Sequence, residues 1–420
     1  MRRRDGPHPA IRSARNGAVN ILFLCHRFPF PPNRGGRIRP FHIVRHFAAH
    51  HRVTLASLLH PGDDDAAVAA LEAVVPRVIA ERVEPARQPL RALERLVRGG
   101  PPSFGYFWSP ALAERLRRLV AGEAFDLVFV HCSSMAPYVE DVRAPKILDF
   151  GDMDSQKWLA YAAHRRFPLS RVFAVEGRRL QAEEARLAAR FDLSTCTTPA
   201  EVASLHAIAP AAAGDWFVNG VDHEYFAPAG EAGAPDAVCF LGRMDYYPNA
   251  EAMVRFCRET WPLLRRLRPN ATLTIVGASP GRAVRRLGRL PGVRVTGTVA
   301  DVRPYARHCR VSVAPLAIAR GTQNKILESM AMGLAVVASS SAAAGTDTRA
   351  GEHLLVADEP RAMGEAIASL LGDEPARARL AAAGRQRVRA RHDWAASMQR
   401  LDRLAESVAA AGPAAAPGRA

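Results

Sequence analysis

Along almost the whole chain, short runs of continuous apolar residues alternate with segments of helical periodicity. The alternation stops once, at a Gly/Pro-rich break, and then starts again. In the first half VNILFLC (19–25), HRVTLASLL (51–59), RVIAERV (77–83), FDLVFVH (125–131), KILDF (146–150) and FDLSTCTT (191–198) read as buried strands. Between them RPFHIVRHFAAH, DDDAAVAALEAVV, an Arg-rich stretch and a span from about Ser155 to Arg190 read as helices. Apolar strands separated by helices belong to a parallel sheet covered on both faces. The second half repeats the scheme with AVCFLG (237–242), a helix over 249–267, ATLTIVG (271–277), VRVTG (293–297), VSVAPL (311–316), a helix from about Lys325 to Met332, LAVVASS (334–340) and HLLVAD (353–358). The break itself, 210–236, holds four Gly and three Pro, which suits a linker.

At 420 residues the chain is about twice an average domain, so two α/β domains are expected. The predicted division is a flexible basic tail over 1–17, a first domain over 18–205, a linker region over 206–236, a second domain over 237–393, a helix over 394–408 returning to the first domain, and a disordered tail over 409–420.

Charge and cysteine content narrow the function classes. Lys+Arg of 57 against Asp+Glu of 41 gives +16, which taken alone suggests nucleic acid, anionic lipid or phosphorylated substrates. Only Lys146, Lys157 and Lys325 are lysines, however, and an Arg-, Ala- and Gly-rich chain is what GC-rich coding produces. The six cysteines are scattered without a CxxC or Cys/His cluster, so neither a zinc site nor a disulfide framework is signalled and a reducing, cytoplasmic compartment is expected. The first residues lack the apolar stretch of a signal peptide, and no run of about twenty apolar residues occurs. The stretch GGPPSFGYFWSPALAERLRRLV (99–120) mixes rings and arginines; it reads either as a contact with anionic membranes or as ordinary core packing.

Three motifs carry chemistry. In RGTQNKILESMAMGLAVVASS (320–340), Lys325 and Glu328 stand three apart at the start of a helix, on one face beside its N-terminus. A cation there, with free backbone N–H groups, suits a diphosphate, and a carboxylate one turn on suits ribose hydroxyls; an i, i+3 ion pair is the plain alternative. In FLGRMDYYPNAEAM (240–253) a buried strand ends in Gly242 and puts Arg243 at the carboxyl edge of the sheet, where α/β proteins bind ligands; Asn249 is expected to cap the next helix. In PFPPNRGGRIRP (29–40) the paired Gly35 and Gly36 allow close approach to a ligand, φ > 0, or simply a tight turn. His131 ends its strand where a first-domain side chain faces an interdomain cleft, and Asp152 or Asp154 is expected to cap the helix near Ser155.

These motifs, with CHRFPFPPNRGGRIRPFHI and DFGDMDSQKWLAYA, resemble the GT-B glycosyltransferases of the large retaining family 4, and more narrowly the sugar transferases of PEP-CTERM/exosortase exopolysaccharide systems. The likeness runs from about Val19 to Ser407. It implies two Rossmann-like domains facing a cleft, an acceptor bound mainly by the first and a nucleotide-sugar mainly by the second. By resemblance, Arg243 and Lys325 hold the donor diphosphate, Glu328 the ribose and Val299 the base. Gly242, Gly321 and Thr322 line the donor site, and Gly35 and Gly36 form the family's glycine loop; His131 is added to the catalytic set from its position alone, a structural histidine being the plain alternative. The resemblance further implies no metal, no cofactor beyond the nucleotide-sugar co-substrate, and a saccharide or polyprenol-linked acceptor. Two departures stand out: Arg320 occupies the position eight before Glu328 where the family has Glu, and the usual Lys after the Gly-Arg pair is absent.

Three readings follow. The first is a nucleotide-sugar-dependent glycosyltransferase acting in the cytoplasm, with peripheral contact to an anionic membrane. The second is a GT-B sugar-nucleotide epimerase or hydrolase, and the third a basic nucleic-acid-binding protein, for which no helix-turn-helix, RNA-binding sheet or zinc motif is present.

Overall fold

The structure, a computed structural model, describes residues 18–228, 230 and 233–412. The predicted tails over 1–17 and, from 413, over 409–420 lie outside the described residues. The described residues up to Phe217, with those from Ala395 onward, form one compact unit, and Val218–Trp394 form a second.

Among the described residues the first unit is built on seven parallel strands: β1 (Asn20–Cys25), β2 (Arg52–Leu59), β3 (Arg77–Arg82), β4 (Leu127–His131), β5 (Lys146–Gly151), β6 (Leu193–Cys196) and β7 (Gly214–Trp216). Their order is β3-β2-β1-β4-β5-β6-β7. The second unit has six: β8 (Ala237–Leu241), β9 (Thr272–Val276), β10 (Val293–Val295), β11 (Val311–Ala314), β12 (Ala335–Ala338) and β13 (Leu355–Val356), in the order β10-β9-β8-β11-β12-β13. These too are parallel throughout. Each chain half winds outward for three strands and then crosses to the other side of its first strand. The reversal opens a crevice at the carboxyl ends of β1 and β4 in one unit and of β8 and β11 in the other, which is where such sheets bind ligands.

The break falls inside the segment read as a linker. Its composition hides a three-residue strand, β7, that belongs to the first sheet, and the second unit already starts at Val218. The helix expected over 155–190 is two, Asp154–His164 and Leu169–Ala188, because Pro168 cannot supply the N–H that continuity requires. The helix over 249–267 is likewise split, into Tyr247–Glu259 and Trp261–Leu267, with Pro262 near the second start. The last helix runs Trp394–Ala411, three residues past the predicted 408. It packs on the first unit: His46 Nε2 meets Asp402 Oδ1 at 2.8 Å, and Arg400 bonds Asp215 at 2.6 Å while stacking on Trp216. Within 99–120 the rings are largely packed, with Phe104 buried and Trp108 stacked on Tyr138 at 4.6 Å.

One buried charge cluster ties the first unit together. Asp149, at 0 % exposure on β5, accepts from Arg39 Nε (2.9 Å) and Nη2 (2.8 Å), from His131 Nδ1 (2.7 Å) and from Thr195 Oγ1 (2.8 Å). Arg39 also donates to the Phe217 carbonyl at 2.9 Å and lies 3.6 Å over that ring. Burial alone would push the carboxyl up, but the Arg39 charge and the His131 and Arg39 hydrogen bonds hold Asp149 well below the usual carboxylate range. The stability this contributes is therefore complete above the unfolded-state pKa of about 4 and is lost only as pH falls towards the lower native value. Asp149→Asn leaves Arg39 buried without its counter-ion and is expected to cost about 3–5 kcal/mol in urea unfolding of the first unit's transition. A loss under about 1 kcal/mol would show that the cluster carries no such weight.

Candidate functional site

The second unit's site is assembled where β8 ends. Gly242 has φ +154°, and a Cβ there would stand 2.7 Å from Asn249 Nδ2 and 3.3 Å from Lys325 Cε. A side chain is thus excluded, and the lysine stem lies directly over the glycine. Gly277, just past β9, is as constrained, since its Cβ would fall 1.8 Å from the Gly242 carbonyl oxygen. Asn249 does not cap its helix: Tyr246 holds that position, and the Asn249 side chain, inside the first turn, donates to the Arg243 carbonyl at 2.8 Å and so pins the loop after β8.

Lys325 and Glu328 lie in the helix Asn324–Ala331, which follows β11. The helix is anchored to the sheet by Ser329, whose hydroxyl donates to the Lys325 carbonyl (2.7 Å) and meets Ser312 Oγ of β11 (2.8 Å). Its N-cap, Gln323, makes no capping hydrogen bond; instead its side chain accepts from Lys325 Nζ at 3.1 Å and donates to the Arg320 carbonyl at 2.8 Å. Desolvation brings the Lys325 ammonium down to about 8 against the pull of Glu328, and desolvation raises Glu328 to about 7 against the pull of Lys325. Each group is thus poised near neutrality. Thr322 Oγ1 is buried without a hydrogen-bond partner, just before this helix. Gly321 turns the loop at φ +55°, with its carbonyl oxygen 1.8 Å from where a Cβ on Gly345 would be.

Arg243 lies at the same sheet edge but is claimed by a neighbour. Its Nε and Nη2 bond the two Asp245 oxygens at 3.0 and 2.6 Å. Val299 is half-buried in the loop after β10, packed with Val302 and Tyr305 against the satellite core. The structure therefore brings Gly242, Lys325 and Asn249 together, sets Glu328 one turn further on the same helix, and holds Arg243 in a fork with Asp245. Asp245 and Gln323 were missed by sequence reasoning; each stands two residues from a chosen cation, a spacing with no motif value outside a regular element.

In the first unit Gly35 and Gly36 are not a loop with φ > 0. They open the helix Gly35–His50, whose N-cap Arg34 makes no side-chain cap, and neither takes a left-handed conformation. A Cβ at Gly35 would meet nothing within 4 Å, so close approach by a ligand remains open there. His131 ends β4, and its Nδ1–H donates to Asp149, which leaves Nε2 as the ring nitrogen that Asp149 does not engage. Beside it Cys132 takes φ +78°, a left-handed conformation unusual for a side-chain-bearing residue. Its Sγ is 3.5 Å from Ser134 Oγ. His26 and His60, one residue past β1 and β2, complete the edge, their rings 4.9 and 5.7 Å from Phe107. Neither Asp152 nor Asp154 caps the next helix: Asp152 accepts from Thr197 Oγ1, Met153 is the N-cap, and Glu201 and Glu184 from other helices accept from the N–H groups of Met153 (2.7 Å) and Ser155 (3.1 Å).

Comparison with known proteins agrees with this geometry. Residues 235–373 match the model of the family described as glycosyl transferases group 1. A phosphatidyl-myo-inositol mannosyltransferase of Mycobacterium leprae (strain TN) is 31% identical over 204 residues, 46% of this chain and 54% of that protein. The chain thus spans about half the length of the curated relative it matches. Among solved structures, a sucrose-phosphate synthase from Thermosynechococcus elongatus superposes with TM-score 0.68 at 18% identity over 94% of this chain and 100% of its own. HepE from Anabaena in complex with UDP gives 0.65 at 17%, over 93% of this chain and 100% of its own. By these findings the second unit carries the glycosyl transferases group 1 match, and the chain has the two-unit, Rossmann-like α/β fold of GT-B glycosyltransferase structures.

Proposed function

We propose that this protein is a glycosyltransferase that moves a sugar from a nucleotide-sugar donor to a saccharide or lipid-linked acceptor, with retention and without a metal. The observation that carries the reading is the pairing of Lys325 with Glu328 on the first turns of a helix, against the side-chain-free Gly242, at the strand-order reversal of the segment that matches the group 1 model. The complexes of HepE with UDP and with UDP-glucose lend support on the donor side. A role in exopolysaccharide or cell-surface glycan synthesis at the cytoplasmic side, of the PEP-CTERM/exosortase type, belongs to the same proposal.

The chemistry follows from where charge develops. Breaking the bond between the anomeric carbon and the diphosphate oxygen builds negative charge on the leaving group, which Lys325 and Arg243 stabilise, Arg243 exchanging Asp245 for phosphate oxygens. Glu328 accepts from the ribose hydroxyls, Thr322 offers its unpartnered hydroxyl, and Val299 contacts the base. The acceptor oxygen forms its bond to the anomeric carbon on the face the diphosphate leaves, and its proton passes to the departing phosphate. Two fixed cations thereby take the role of a metal ion.

The donor reading is tested first by thermal shift with UDP, GDP and their sugars, where ligand at 100 times its Kd adds about 2.7 kcal/mol to the unit that binds it. Lys325→Ala is expected to lower turnover about 10²-fold or more while leaving the unfolding transition in place; near wild-type turnover would remove the diphosphate assignment. Affinity for the nucleoside diphosphate is expected to peak between pH 7 and 8. It falls on the alkaline side as Lys325 loses its proton near 8, and on the acid side as Glu328 gains one near 7. Lys325→Arg, always protonated, abolishes the alkaline limb, and a Kd that is flat from pH 6 to 9 contradicts this. Activity is expected to survive EDTA; an absolute Mg²⁺ or Mn²⁺ requirement would end the metal-independent reading.

A further inference from the structure

Of the large apolar side chains that stand in water on the first unit, six fall into two groups. Leu90 (65 % exposed), Leu93 (56 %) and Val97 (80 %) recur at i, i+3 and i+7 on the helix Gln88–Val97, so they form one stripe on the side turned away from the core. Phe167 (77 %), Leu169 (45 %) and Val172 (58 %) cluster where the helices Asp154–His164 and Leu169–Ala188 meet. Arg179 links the two groups. Seven residues after Val172 it lies on the same face of its helix, about 10 Å along, and it donates to the Gly100 carbonyl at 3.3 Å and to the Leu96 carbonyl beside Val97. Arg179 thus joins the helix that carries Val172 to the end of the helix that carries Val97. Scattered exposed apolar residues are ordinary on a protein surface; a gathered strip of this kind marks an interaction site.

Charge says what the strip meets. From 155 to 175 the chain carries Lys157, Arg165, Arg166 and Arg171 and no Asp or Glu, and among the described residues Arg166 and Arg171 form no ion pair. Along 87–98 the four arginines are ion-paired, Arg87 and Arg91 with Glu84, Arg95 with Glu183 and Arg98 with Glu94, so the uncompensated charge of the strip is that of Arg166 and Arg171 beside Phe167 and Val172. A second copy of the chain would bring this cationic strip against itself, whereas a surface of negative headgroups over hydrocarbon complements both features. We infer that the first unit docks on anionic lipid bilayers through this strip, with Phe167, Leu169 and Val172 entering the headgroup boundary and the flanking arginines on phosphates. The rings of 99–120 are not counted in the strip: Phe104 is buried, Phe107 and Trp108 are half-buried, and only Tyr106 is exposed. The inference is independent of the donor reading, because the strip contains none of the residues assigned to nucleotide or sugar.

Vesicle co-sedimentation of the full chain without substrate tests it. Partition into 3:1 phosphatidylcholine:phosphatidylglycerol vesicles is expected to exceed that into pure phosphatidylcholine by tenfold or more at low salt, and to fall steeply in 0.5 M NaCl, where screening shortens the reach of each charge. The triple variant Phe167→Ser, Leu169→Ser, Val172→Ser loses tenfold or more of that partition, with turnover on a water-soluble acceptor unchanged. If the triple variant does not fold, Arg166→Glu with Arg171→Glu gives the same reading. Equal binding to both vesicle types, no binding to either, variant partition equal to the parent's, or lipid-free self-association that the variant abolishes would each overturn the proposal.

Discussion

A single guanidinium–carboxylate pair sets the geometry of the first unit. Asp149 is fully buried at the end of a central strand, where an ionised carboxylate is tolerated only if every lone pair is used, and Arg39, His131 and Thr195 use them. The contacts reach the first helix, β4, β6 and, through Arg39, the carbonyl that closes β7. The same bonds orient a ring: with its Nδ1–H committed to Asp149, His131 has Nε2 left for other partners at the carboxyl edge of the sheet. The pair that holds the strands in register therefore also orients the His131 ring.

The second unit solves a different problem, bringing a cation close to backbone at a point where a sheet changes direction. Backbone approach is achieved by omission of side chains. Gly242 and Gly277 let the ends of β8 and β9 approach within a distance no Cβ permits, and the stem of Lys325 lies in the space this clears. Desolvation then does the electrostatic work, lowering the lysine and raising Glu328 until both titrate near neutrality. An anion entering this site would favour the protonated lysine, so ligand binding and proton uptake are coupled by position alone.

Arginine dominates the chain, yet the arginines act in different ways. Arg39 is buried and spent on structure, Arg243 is half-exposed and held by Asp245 in a fork that phosphate oxygens fit equally well, and Arg166 and Arg171 are exposed and form no ion pair among the described residues. Net charge averages over these and describes none of them. The function of each is decided by whether a carboxylate has been placed within reach.

Much of the fold was legible in the chain order. Continuous apolar runs can be satisfied only by a sheet buried on both faces, and their alternation with helical segments leaves parallel pairing as the solution, so two α/β units follow from periodicity. The placement of Gly242 and Arg243 just past a strand and of Lys325 and Glu328 on one short helix was legible too, because strand and helix ends are marked locally. What the chain order does not contain are contacts between residues distant in it: Arg39 with Asp149, Glu184 and Glu201 at the start of a helix that Asp152 and Asp154 were expected to cap, and the strand Gly214–Trp216 inside a Gly/Pro-rich segment. Local pattern reports the face a residue must turn to water or to core. Which partner meets it there, and hence whether Arg243 is free or forked and whether Phe167 is covered or bare, is settled only when distant segments pack, because hydrogen-bond and ion-pair partners are chosen by distance in space.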